Sequence, residues 1–159
     1  MAVKSVLGIP SNAAGAKQSK VTVSSGAKLQ LAAAVAIAVY GMYRRKRQLD
    51  DPSQTHDPLY EFNLFSNSSP LHAVGDGWSL SHLLGHAVLG FVDPESEAQI
   101  LELSAAWEAW EYVTSVTGQY LSSGDWWWYA KLSDLFMNYA GFKIGAAAAR
   151  AVKASNAKQ

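Results

Sequence analysis

Three apolar stretches in the second half of this chain carry ionisable residues at helical spacing, and that combination restricts what the chain can fold into. His82 and His86 stand four residues apart, Glu108 and Glu111 three apart, and Asp134 and Asn138 four apart, with Lys131 one turn earlier. Each set falls on one face of a helix. Ionic groups on apolar helices persist only where they point inward and satisfy one another. The pattern predicts an all-α fold: a small bundle of three to four mostly transmembrane helices. Its polar faces converge in a network of His82, His86, Glu108, Glu111, Lys131, Asp134 and Asn138. Lys131 is expected to pair with Asp134 or Glu111.

The chain of 159 residues has room for one folding unit, with termini that are disordered or become ordered only against a partner. Residues 1–27 are rich in Ser, Ala, Gly and Lys and bury too little apolar area to offset ordering entropy, so they read as a polar basic arm. Residues 28–47 read as a membrane anchor. Leu29 to Tyr43 is almost wholly apolar, broken only by Gln30, and Arg44, Arg45, Lys46 and Arg47 stop it. Fifteen residues rise about 22 Å, short of a hydrocarbon core of about 30 Å, so Lys28 and Arg44 would have to snorkel. The apolar stretch begins too late, and ends on basic residues, for a cleaved secretory signal.

Residues 48–77 form an acidic loop whose Pro, Asn, Ser, Gly and Asp content forbids long regular structure. Asn67-Ser68-Ser69 within it matches an N-glycosylation acceptor. Residues 78–152 form the helical membrane bundle, and 153–159 a basic tail. The first bundle helix is expected over Trp78–Val92. Asp93 should cap the next, with Pro94 at its first position and Gly118 stopping it after Thr117. The last helix is expected from Trp126 to about Val152. Trp126, Trp127, Trp128 and Tyr129 suit a membrane–water interface, and Gly141, Gly145 and Ala149 have the small-residue spacing that lets membrane helices approach closely.

Charge is segregated along the chain. All eight Lys and Arg before residue 49 occur without an acid, and Asp50 to Asp125 holds twelve acids without Lys or Arg. Such blocks point to segments that face different surroundings. Four spans would place both basic termini on one side and Arg44–Arg47 on the other, so loop charge leaves the orientation open. The absence of cysteine excludes disulfides, thiol catalysis and Cys-based zinc sites.

His82, His86, Glu108 and Glu111 are the candidate metal ligands, and Glu108, Glu111, Asp134 and Lys131 the candidate catalytic groups. No cofactor is favoured, because the chain lacks the spacing of di-iron bundles, His-Glu-x-x-His, a phosphate loop and a nucleophile elbow. Without aromatic interleaving, the basic ends fit lipid headgroups or acidic protein surfaces, and no sequence-specific nucleic-acid binding is expected.

Ser81-His82 with Gly90, Trp107-Glu108-x-Trp110-Glu111, Trp127-Trp128-Tyr129-x-Lys131-x-Ser133-Asp134 and Asn138-x-x-Gly141-Phe142 occur in that order. Across roughly residues 78–145 the chain resembles small uncharacterised multi-spanning membrane proteins of large DNA viruses of algae and protists. It is more distantly similar to bacterial membrane proteins of the VanZ and DUF2585 kind. His86 departs from the group's pattern, which has an aromatic or apolar residue there. The resemblance implies a structural integral membrane protein in the virion's internal membrane, or in a host membrane during assembly. Its partners would be membrane lipids and a capsid layer, as in a minor capsid-associated component linking membrane to shell. The alternative is a membrane-embedded metal- or carboxylate-dependent hydrolase or transferase acting on lipid-linked substrates.

Overall fold

The computed structural model describes residues 22–51, 53, 58–121 and 131–159. They form four long helices, α1 (Ser25–Asp50), α3 (Gly77–Val92), α4 (Glu97–Leu121) and α5 (Leu132–Asn156), with a single turn α2 (Pro58–Glu61) and a 3-10 turn at His72–Val74. The all-helical class holds among the described residues. The expected interface aromatics Trp126–Tyr129, and residues 1–21 of the basic arm, lie outside them.

α1 is longer than the apolar run that announced it. Ser24 caps it, its hydroxyl accepting from the Ala27 amide at 3.1 Å, and the helix continues through Arg44–Arg47 to Asp50. Lys and Arg are good helix formers, and Lys46 pairs with Asp50 one turn on, so a basic cluster that would stop membrane insertion does not stop the helix. α1 is the one helix among the described residues long and apolar enough to cross a membrane by length and composition.

Asp76 caps α3, accepting from the Ser79 amide at 2.8 Å. α4 begins at Glu97, three residues later than a Pro94 start would have it. The reason lies in Asp93, whose carboxylate is taken elsewhere: Oδ2 accepts from the Gly26 amide of α1 at 2.8 Å, and Oδ1 from the Ser96 hydroxyl at 2.9 Å. Asp93 therefore satisfies an orphan N–H at the start of α1, across 67 residues of chain. α4 also runs through Gly118 to Leu121. A lone glycine costs a helix only about 1 kcal/mol, and does not end it by itself. α5 starts at Leu132 and carries on to Asn156, so part of the expected basic tail is helical.

The helices alternate in direction. Gly26 meets Ile100 and Gln30 meets Ser104, so α1 and α4 run parallel; Ser79 meets Asp134 and Leu83 meets Gly141, so α3 and α5 do too, antiparallel to the first pair. α3 and α5 make the tightest crossing. A Cβ at Gly90, Gly141 or Gly145 would fall inside the backbone of the facing helix, against Phe142, Leu83 and Ala87 respectively. Gly90 is a third small residue of this seam. Ala149 instead lines a shallow cleft with Pro94, Glu95 and Arg150 near the end of α5.

Residues 58–77 are more ordered than a breaker-rich loop need be. The Asn63 side chain donates to the His72 carbonyl at 2.8 Å and accepts from the Phe65 amide at 2.9 Å, while Leu64 and Gly77 amides pair with Gly75 and Phe62 carbonyls. This closed loop delivers Asp76 to the start of α3.

The hydrogen bond from Gly26 holds the Asp93 carboxyl below the usual carboxylate range. A depressed folded-state value means that its contribution is present above the unfolded value, near pH 4, and is lost as pH falls further. Protection of the Gly26 amide, relative to its intrinsic exchange rate, is therefore expected to fall in acid below about pH 4 and already at neutral pH in Asp93→Ala. Unchanged protection in both would remove Asp93 as the tie between α1 and the bundle.

Candidate metal centre

The interior is more polar than apolar. The apolar core among the described residues is small, centred on Leu89, Ile100, Phe142 and Ala146, whereas Asp76, Ser79, His86, Ser104, Glu108, Glu111, Asp134 and Asn138 are all buried. Buried polar groups demand partners, and most of these have them.

The residues singled out by spacing do not all meet. His82 of α3, Glu108 of α4 and Asp134 of α5 form the one group among the described residues in which three potential ligand atoms lie within 4.8 Å of one another. His82 Nδ1 is 3.7 Å from Glu108 Oε1, and its Nε2 is 3.9 Å from Asp134 Oδ2. Asn138 Oδ1 lies 2.8 Å from His82 Nδ1, and an amide oxygen only accepts, so Nδ1 carries the proton and Nε2 keeps its lone pair. Ser79 Oγ donates to Asp134 Oδ1 at 2.8 Å, leaving Oδ2 turned toward the imidazole.

His86 and Glu111, both candidate ligands by spacing, are engaged elsewhere. His86 Nδ1 donates to the His82 carbonyl at 2.9 Å, so its Nε2 is an acceptor and faces the Ser104 hydroxyl at 2.6 Å, while Ser104 Oγ accepts from Gln30 of α1 at 2.8 Å. This chain fastens α3, α4 and α1 together. Glu111 Oε1 accepts from the Trp107 indole at 2.8 Å. Helical spacing places a pair on one face, but a face is wide enough for its two members to meet different neighbours.

Lys131 pairs with Asp76, not with Asp134 or Glu111. It stands at the position before α5, where its side chain reaches the start of α3. Sequence reasoning missed Asp76, Ser79, Ser104 and Gln30. An aspartate three residues before a serine at a helix start is a legible capping signal, but nothing local marks Ser104 or Gln30.

Glu108 stands apart. It is only 6% exposed, and neither carboxylate oxygen has a hydrogen-bond partner. A main-chain donor at Lys131 faces it without meeting the geometry of a hydrogen bond. A buried carboxylate without a partner is costly, so this group calls for a counter-charge or a proton. Comparison with protein-family profiles, characterised proteins and solved structures returned no match to this chain.

Proposed function

We propose that this protein is an integral membrane bundle that acts as a scaffold, its helices lying in lipid and its polar ends engaging a neighbouring protein layer. The observation that carries this reading is the inverted distribution of side chains. Leu84 and Val88 of α3, Tyr112 and Val113 of α4, and Phe136 and Ile144 of α5 are all more than half exposed, while the interior holds the carboxylates and imidazoles. α1 likewise exposes Val35, Val39, Met42 and Tyr43.

In water such an arrangement is unfavourable twice over, through apolar area left wet and ionic groups left dry. In hydrocarbon both terms reverse: apolar side chains face a like solvent and polar groups must turn inward. Close glycine-lined helix contact is the packing mode that works without a hydrophobic drive between helices. Arg44–Arg47 stand at one end of the bundle, and Arg150, Lys153 and Lys158 toward the other, where lipid headgroups or an acidic protein surface would meet them. The resemblance to viral membrane proteins supports the narrower assignment, a virion-membrane or minor capsid-associated component.

The absence of native cysteine makes a direct test available. Single cysteines at Leu84, Phe136 and Ile144 carry spin labels in the protein reconstituted in vesicles. The expected result is relaxation by oxygen and protection from a water-soluble nickel chelate at all three. Access of the chelate to all three, in a protein that also stays in solution without detergent, would sink the membrane reading. Mass spectrometry of density-purified particles tests the narrower assignment, which fails if the protein is absent from them.

A further inference from the structure

We propose that His82, Glu108 and Asp134 bind one divalent cation of the zinc class, clamping α3, α4 and α5 together at the end of the bundle where α3 and α5 begin. Two independent observations carry this. One is the convergence of one imidazole and two carboxylates from three helices within 4.8 Å. The other is Glu108, more than nine-tenths buried, turned into that cluster with both oxygens unpartnered.

The dimensions fit with little adjustment. Donors around a tetrahedral zinc ion lie about 3.3 Å apart, given metal–ligand bonds of about 2.0–2.1 Å. The 3.9 Å between His82 Nε2, the nitrogen left free, and Asp134 Oδ2 is near that spacing, and rotamer adjustment of the Glu108 carboxylate within the 4.8 Å cluster brings in the third donor. The surrounding hydrogen bonds are those a metal ligand needs. Asn138 holds the His82 tautomer with Nε2 free to coordinate, and Ser79 steers Asp134 Oδ2 toward the same point. Charge also balances: two carboxylates and a neutral imidazole with a divalent ion sum to zero, the state that burial favours. The mixed nitrogen and oxygen donors select zinc or manganese over magnesium and calcium, which take oxygen ligands. Three protein donors leave a position for water or a substrate oxygen, the pattern of a reactive site rather than a closed structural one.

The competing account is a proton held between the carboxylates, and the experiment separates the two. Full-length protein in detergent is loaded with zinc, freed of excess by gel filtration and measured by elemental analysis. Wild type is expected to retain about one zinc ion per chain. Glu108→Gln and Asp134→Asn are expected to retain none, Glu111→Gln to retain the wild-type amount, and Asn138→Leu to bind about 10–100-fold more weakly. Thermal melts in a chelator guard against misfolding. There Glu108→Gln should be at least as stable as wild type, since it removes an uncompensated charge, and only wild type should gain stability when zinc returns. Failure of wild type to retain zinc, retention by Glu108→Gln, or loss of stability by Glu108→Gln in the chelator overturns the proposal. None of these readouts depends on whether the helices lie in lipid, so this inference and the membrane reading can fail separately.

Discussion

Gly145→Val is expected to destroy the α3–α5 pairing. A Cβ at this position falls inside the van der Waals envelope of the Ala87 carbonyl and close to the Phe91 amide at 2.8 Å, both of them backbone atoms. Backbone cannot rotate aside as a flexible side chain can, so the helices must separate along the seam. Separation also loosens Gly141 against Leu83 and Gly90 against Phe142, and pulls Asp134 away from Ser79. Overpacking of this kind costs about 3 kcal/mol or more, which for a chain of this size lowers the melting temperature by roughly 6–12 °C. Circular dichroism melts in detergent measure it. Gly85→Ala on the partner helix α3 is the control, because its added methyl meets nothing within 4 Å. It should be neutral or raise the melting temperature, since alanine is the better helix former by up to about 1 kcal/mol. Equal loss in both variants would mean that the glycines matter for helix propensity alone, and not for close approach.

Phe142→Ala is expected to cost about 3–5 kcal/mol. The ring is fully buried and belongs with Leu89, Ile100 and Ala146 to the apolar cluster that, among the described residues, joins α3, α4 and α5. Its removal leaves a cavity flanked by rigid helices, and Gly90 against the Phe142 backbone gives them no closer approach to fall into. Phe136, six residues earlier on the same helix and 66% exposed, is the matched control. Its truncation removes the same atoms and should shift stability by no more than about 0.5 kcal/mol. Denaturant titration of the two variants in one detergent checks the difference. A small effect at Phe142 would show that the polar network, and not this cluster, holds the three helices together.

The contrast between these two phenylalanines illustrates which parts of the molecule could be read from the chain. Both sit in a segment whose composition announces a helix, and nothing in the local pattern tells one from the other. The converging polar faces were likewise legible as faces, because i,i+3 and i,i+4 spacing projects side chains to the same side of a helix. Their pairing was not. His86 and Glu111 share faces with His82 and Glu108, yet His86 turns to Ser104 and Glu111 to Trp107. Lys131 reaches Asp76, 55 residues away, although Asp134 lies one turn along its own chain. Helix ends were readable only in part. Asp93 and Pro94 carry the signals of a helix start, but the carboxylate serves the first turn of α1 and α4 begins three residues later.

What the sequence alone determined is therefore the local layer: three to four long helices, the small residues at Gly141 and Gly145, and apolar segments bearing ions on shared faces. These follow from propensity, capping and periodicity, each a property of a few adjacent residues. Tertiary structure decided the rest: the parallel setting of α3 and α5, the tie from Asp93 to Gly26, and the meeting of His82, Glu108 and Asp134 around an unsatisfied carboxylate. The physical reason is that such contacts depend on the rotation and axial offset of whole helices. Those are set by the closest backbone approach, at the glycine seam, and not by the residues that finally touch.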